Sequence, residues 1–151
     1  MSQRPDYNAI APDGLKAMGS VHAYIHKCGL DIGIIDLAFL RTSQINGCAY
    51  CIDMHSRDLL KNGMDLEKLL LVSVWHEAAS LFTEEEKAAL AFTESVTRVA
   101  ETHVSDKDYE AAAAIFSEKQ LVDLTLAISL MNAYNRMAIS FRVLPAAAAE
   151  K

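Results

Sequence analysis

Two cysteines and a histidine stand at i, i+3 and i+7 in the run Asn46-Gly47-Cys48-Ala49-Tyr50-Cys51-Ile52-Asp53-Met54-His55. On an α-helix that spacing stacks the three side chains on one stripe. Cysteines one turn apart can close a disulfide, and a histidine one turn past the second cysteine can exchange a proton with it. The run therefore reads as redox chemistry before anything else. Asn46-Gly47 breaks the preceding helix and leaves Cys48 in the first turn of the next, where unpaired backbone N–H groups and the helix dipole favour a thiolate. By that argument alone Cys48 is the nucleophile.

A lowered thiol pKa does not suffice. Dropping it from about 8.5 to about 6 raises the ionised fraction at neutral pH roughly thirtyfold, while the lost basicity removes about tenfold of nucleophilicity. Reducing a peroxide also needs an acid for the departing hydroxide or alkoxide, and a histidine titrating near the working pH is the natural one. His55 stands where that acid is needed. Its second nitrogen needs an acceptor to hold it, and Asp36 qualifies. Asp36 shares a helix face with Ser43 among Ile32, Phe39 and Leu40, a poor setting for a carboxylate without a partner. The expected relay is Asp36, His55, thiol.

Positioning these groups falls to helices. Helical periodicity runs from about residue 12 to residue 144, and no strand-like alternation interrupts it. One all-α domain over residues 1–151 is expected, with helices near 12–27, 31–45, 48–62, 65–79, 83–102, 105–117 and 119–143. Thr83 with Glu86 forms a capping box, Asp31, Asp65 and Ser105 are N-caps, and Gly63 takes a left-handed C-terminal position. On a helical wheel Cys48, Cys51, Ile52, His55 and Leu59 share one face, with Tyr50, Asp53, Arg57 and Lys61 opposite, so the reactive stripe points inward. The stretch 121–143 is apolar around most of its circumference, which marks a central or interface helix. Residues 146–151 are expected to fray.

Composition narrows the partners. A hydrophobic content of 52% is high for 151 residues and predicts a homo-oligomer. A net charge of −6, with no Lys/Arg cluster, argues against nucleic acid and against a polybasic membrane anchor. No apolar stretch reaches the length of a membrane span, and Met1-Ser2-Gln3-Arg4-Pro5-Asp6 lacks a signal-peptide core, so a cytoplasmic location is expected. In a reducing compartment a C-x-x-C pair is catalytic or metal-binding. A zinc site would need a fourth ligand such as Asp36. His22 and His26, one turn apart, form a surface pair or a second metal candidate. His76-Glu77 after Trp75 marks a helix end or interface, and Cys28 reads as a small buried apolar residue. No cofactor is required.

The block from Arg41 to His55, together with Trp75-His76-Glu77, Phe82-Thr83-Glu84 and Asn132-Ala133-Tyr134-Asn135-Arg136, resembles the carboxymuconolactone decarboxylase superfamily. Within it the likeness is to the AhpD-like alkylhydroperoxidase branch, and it covers most of the chain. The resemblance implies an all-helical bundle of about six to seven helices, a trimer or hexamer, and a peroxidase cycle through the C-x-x-C pair. In that cycle the second cysteine attacks the peroxide, the first resolves the sulfenic acid to a disulfide, and a histidine with an upstream glutamate relays protons. Carried onto this chain, Cys51 attacks, Cys48 resolves and His55 relays. Asp36, one methylene shorter, stands where the family has its glutamate. The implied partners are a hydroperoxide and a protein dithiol or lipoyl-type reductant. The superfamily also holds lyases of carboxylactones, for which His55, His76 or Arg41 would serve and the cysteines would not be needed.

Overall fold

The computed structural model describes residues 4–149, and these form helices with no strand among them. In order they are α1 (Tyr7–Ile10), α2 (Pro12–Ile25), α3 (Ile32–Asn46), α4 (Ala49–Lys61), α5 (Leu66–Leu71), a 3-10 segment (Val72–Leu81), α6 (Glu84–Thr97), α7 (Val99–Thr102), α8 (Asp106–Ala113), α9 (Glu118–Phe141) and α10 (Ala146–Ala149). The all-α expectation holds, with more and shorter pieces than the periodicity suggests. Of the expected frayed tail, 146–149 is a helical turn, and 150–151 lie outside the described residues.

Local signals explain most boundaries. Asp31 accepts from the amides of Gly33 and Ile34, Ser105 accepts from Asp108, and the capping box of Thr83 and Glu86 forms in both directions. Ser117 and Gln120 make a second box at the start of α9. Asp65 occupies the N-cap of α5 without a side-chain bond. Gly47 and Gly63 take positive φ, +70° and +95°, where a side chain would be strained.

Two expected helices are interrupted. The stretch 65–79 leaves α geometry after Leu71, with non-helical backbone at Val74 and Ala78. That segment buries Trp75 and sets its indole N–H on Glu94 Oε1 at 2.9 Å. The stretch 83–102 breaks at Arg98, and beyond the break the Thr102 hydroxyl donates to the Ser95 carbonyl at 2.7 Å. Periodicity cannot register the bond of Trp75 to Glu94, a residue of another helix.

α3 is the axis of the fold. Every residue from Ile34 to Leu40 is buried, because α4, α6 and α9 pack around it. One core cluster joins Ile35 and Phe39 to Ile128 and Met131 of α9 and takes in Cys48 and Cys51. The other joins Leu37, Leu40 and Leu59 to Val72, Trp75 and Leu90. The long helix α9 buries one side and leaves Val122, Leu126 and Ile139 exposed on the other, so the central helix is α3. α2 is clasped to α9 through Asp123, which accepts from the Tyr24 hydroxyl at 2.8 Å and from Lys119 at 2.5 Å.

Candidate active site

The turn between α3 and α4 builds the site. With Gly47 left-handed, the Cys48 amide donates back to the Ser43 carbonyl at 3.0 Å, and Cys48 becomes the N-cap of α4, one step before the first turn. Cys51, His55 and Leu59 then form the buried stripe of α4, with Arg57 and Lys61 exposed. The two sulfurs, 1% and 2% exposed by residue, are free thiols lying 2.7 Å apart. That is close to, and still beyond, the bond length of about 2.05 Å in a disulfide.

The two thiols ionise unequally. The backbone N–H groups of Tyr50 and Cys51 face the Cys48 sulfur, as expected at a helix N-terminus. With the Cys51 thiol as the largest influence, they bring Cys48 down to about 7 against the effect of burial. Cys51, hydrogen-bonded to that sulfur and buried beside its charge, is pushed up. Cys48 is therefore the first of the two to ionise.

A residue that spacing does not reveal completes this cradle. Asn135 of α9 is wholly buried beside the pair, and its amide favours the charged form of both sulfurs. Its orientation is set by neighbours. Asn46 Nδ2 donates to Asn135 Oδ1 at 2.9 Å and to Asn132 Oδ1 at 3.0 Å, so the Asn135 NH2 turns the other way, donating to Ser43 Oγ at 3.0 Å. In the sequence Asn132 and Asn135 stand out as polar breaks in an apolar helix and as part of a family motif, with nothing to say what they touch. Their partners lie about ninety residues away.

His55 and Asp36 are both buried, at 3% and 4% exposure, but no hydrogen bond joins them. Neither ring nitrogen of His55 has a hydrogen-bond partner, and Nδ1 lies 3.7 Å from Asp58 Oδ2. Burial, aided by His22 and His26, lowers His55 to about 4, so it is neutral at pH 7 rather than poised near the working pH. Asp36 Oδ2 accepts instead from Asn62 Nδ2 at 3.1 Å, and burial pushes its carboxyl upward. His22 and His26, 4.4 Å apart, and His55 all lie against the ring of Phe39, at 6.0, 6.4 and 5.1 Å.

The remaining candidates have structural partners. Glu94 Oε1 accepts from Arg41 Nε at 2.7 Å and from Trp75, and Oε2 lies 3.3 Å from His76 Nε2. Together these donors hold the Glu94 carboxyl low against the opposing effect of burial. Cys28 is half-buried and donates to the Ile25 carbonyl at 3.0 Å. Among the described residues no three His, Cys, Asp or Glu side chains are grouped to hold a metal, and no helix is long and apolar enough to cross a membrane.

Comparison with known proteins agrees with this architecture. An Agrobacterium tumefaciens protein of unknown function, described in connection with the antioxidant defence protein AhpD, superposes with a TM-score of 0.91 at 37% identity, over 95% of this chain and 98% of that one. The AhpD core of a peroxidase-related protein from Ralstonia eutropha shares the fold, with a TM-score of 0.80 at 24% identity over 91% of this chain and 73% of that one. The uncharacterised protein YdfG of Bacillus subtilis is 37% identical over 93% of this chain and 95% of its own length. The profile of the carboxymuconolactone decarboxylase family matches residues 12–95, the span that holds α2, α3, α4 and the C-x-x-C pair. This chain belongs to the carboxymuconolactone decarboxylase family, in its AhpD-like branch.

Proposed function

We propose that the protein is a cofactor-free thiol peroxidase that reduces a hydroperoxide through Cys48 and Cys51. The observation that carries this reading is the buried pair of sulfurs 2.7 Å apart at the start of α4, with His55 one turn past Cys51. As the peroxide arrives, the Cys51 proton crosses to the Cys48 thiolate, the shortest transfer in the site, and Cys51 attacks the terminal oxygen. The O–O bond breaks, leaving Cys51 as a sulfenic acid and releasing an alkoxide. The alkoxide takes the proton back from Cys48, whose thiolate then displaces hydroxide from Cys51 and closes the disulfide. One further proton converts hydroxide to water. Overall the monoanionic dithiol, ROOH and one proton give disulfide, ROH and water.

His55, being neutral, serves in this scheme as a relay that takes a proton at one nitrogen and gives it from the other. Asp36 lacks a direct bond to the ring, so it acts through an intervening water or by its field. A dithiol of another molecule restores the thiols by exchange, becoming a disulfide itself. Sulfurs this buried favour a thin, extended donor such as a dihydrolipoyl arm over a flat protein surface. Homo-oligomers form through the apolar groove that Leu121, Val122 and Leu126 line with Phe92 and Val96. The lyase reading is the weaker, because Arg41 and His76 are both engaged by Glu94.

The test is a count of free thiols in denatured protein before and after one equivalent of cumene hydroperoxide. A fall from three to one, reversed by dithiol and abolished in Cys51→Ser, supports the cycle; an unchanged count of three sinks it.

A further inference from the structure

Two sulfurs this buried need a path from solvent. A cavity of about 260 Å³ lies between Asn46, Asn135, Arg136, Ile139 and Ser140. Its lining includes Asn135, whose Nδ2 donates to Ser43 Oγ at 3.0 Å, and the Ser43 carbonyl accepts from the Cys48 amide at 3.0 Å, so the cavity stops about one side chain short of the dithiol. Its lining contains a single charged residue, Arg136, and no carboxylate. Arg4 adds a second guanidinium at the rim by donating from Nη1 to the carbonyl of Ser140. Arg136 is anchored through Nη1, which donates to the Asn132 carbonyl at 2.8 Å and to Asn132 Oδ1 at 3.0 Å. Two guanidiniums at one small cavity reverse, locally, the sign of a chain whose net charge is −6. The volume is below the range of about 300–1,000 Å³ that drug-sized ligands occupy, so the occupant is small.

We propose that this cavity is the mouth of the dithiol site and that it selects small hydroperoxides or peroxy acids carrying a carboxylate, whose anionic end pairs with Arg136. The proposal rests on the peroxidase reading for its chemistry but not for its test. With the carboxylate held at Arg136, the O–O end points inward past Asn135. Reaching the sulfurs then requires only that the Asn135 side chain turn away from its bonds to Ser43 and Asn46. The larger apolar groove along α9 also borders Arg136, but Asn135 does not line it.

The test uses two alkylating reagents of nearly equal size and opposite character, iodoacetate and iodoacetamide. Rates at Cys48 and Cys51 are read by peptide mass in a Cys28→Ser background. Arg136→Gln should lower the iodoacetate-to-iodoacetamide rate ratio by about three- to tenfold, the size of one charge contact near a protein surface, and Arg136→Glu should lower it further. Neutralising the exposed Arg57 should leave the ratio unchanged. Filling the cavity with Ile139→Trp, a substitution at an exposed position, should slow both reagents about tenfold or more. A ratio indifferent to both Arg136 variants overturns the anion selectivity. Rates indifferent to Ile139→Trp but slowed by Leu126→Trp overturn the mouth and assign it to the larger groove. Alkylation involves no peroxide, so failure here leaves the thiol-count result standing, and failure of that result leaves the access path standing.

Discussion

The surroundings of Glu94 and of His55 are both partly or wholly buried and polar, and they are built on opposite plans. Glu94 accepts from Arg41 and Trp75 and faces His76, so its charge is held where desolvation alone would expel it. His55, more deeply buried, has no hydrogen bond at either nitrogen and is neutral as a result. An unsatisfied buried polar group costs about 1–3 kcal/mol, and such a group is where a site keeps capacity for a transient partner. The satisfied cluster clamps α3, α6 and the 3-10 segment together. The unsatisfied one lies one helical turn past Cys51. Satisfaction of hydrogen bonds, more than burial or charge, separates scaffold from chemistry in this molecule.

That contrast can be broken by substitution. Glu94→Ala leaves Arg41 buried without its carboxylate and should cost about 3–5 kcal/mol of stability in urea unfolding, with peroxide-dependent thiol loss intact in the folded fraction. Loss of thiol oxidation at unchanged stability would place Glu94 in the chemistry and undo the distinction. His55→Asn sharpens the other side. Because the folded pKa of about 4 lies below the ordinary 6.5, the unfolded chain binds more protons between those values. The wild type should therefore lose about 3 kcal/mol as pH falls from 6.5 to 4, a slope that the variant lacks. Urea midpoints at pH 7 and pH 4.5 decide it, and parallel losses in both proteins would mean that His55 has a partner after all. The smallest effect is expected for Asn135→Ala in the Cys28→Ser background. Removing the amide should raise the thiolate pKa from about 7 by roughly one unit, or 1.4 kcal/mol, read as thiolate absorbance against pH. The Cys51 thiol and the backbone amides of Tyr50 and Cys51 also bear on that titration and are unchanged in the variant. An unmoved pKa would leave the charge to the helix N-terminus alone.

Much of this was legible in the sequence for local reasons. The inward stripe of Cys51, His55 and Leu59 follows from helical period. The caps at Asp31, Thr83 and Ser105 follow from side chains that reach amides two or three residues on. The favoured charge on Cys48 follows from its place at a helix start. The resemblance to the AhpD-like branch rested on contiguous motifs and agreed with the fold.

Only the tertiary structure decided which of these groups meet. Sequence pairs Asp36 with His55, whereas the fold gives it Asn62, because a buried carboxylate takes whatever donor its packing brings near. Asn135 came to the sulfurs, and Glu94 to Trp75, across long stretches of chain that no period spans. His55 moved from a histidine of ordinary pKa to one held neutral, since desolvation depends on what packs around the ring and not on its neighbours in sequence. Residue type and spacing determined the chemistry this chain can attempt. Packing determined where its protons rest.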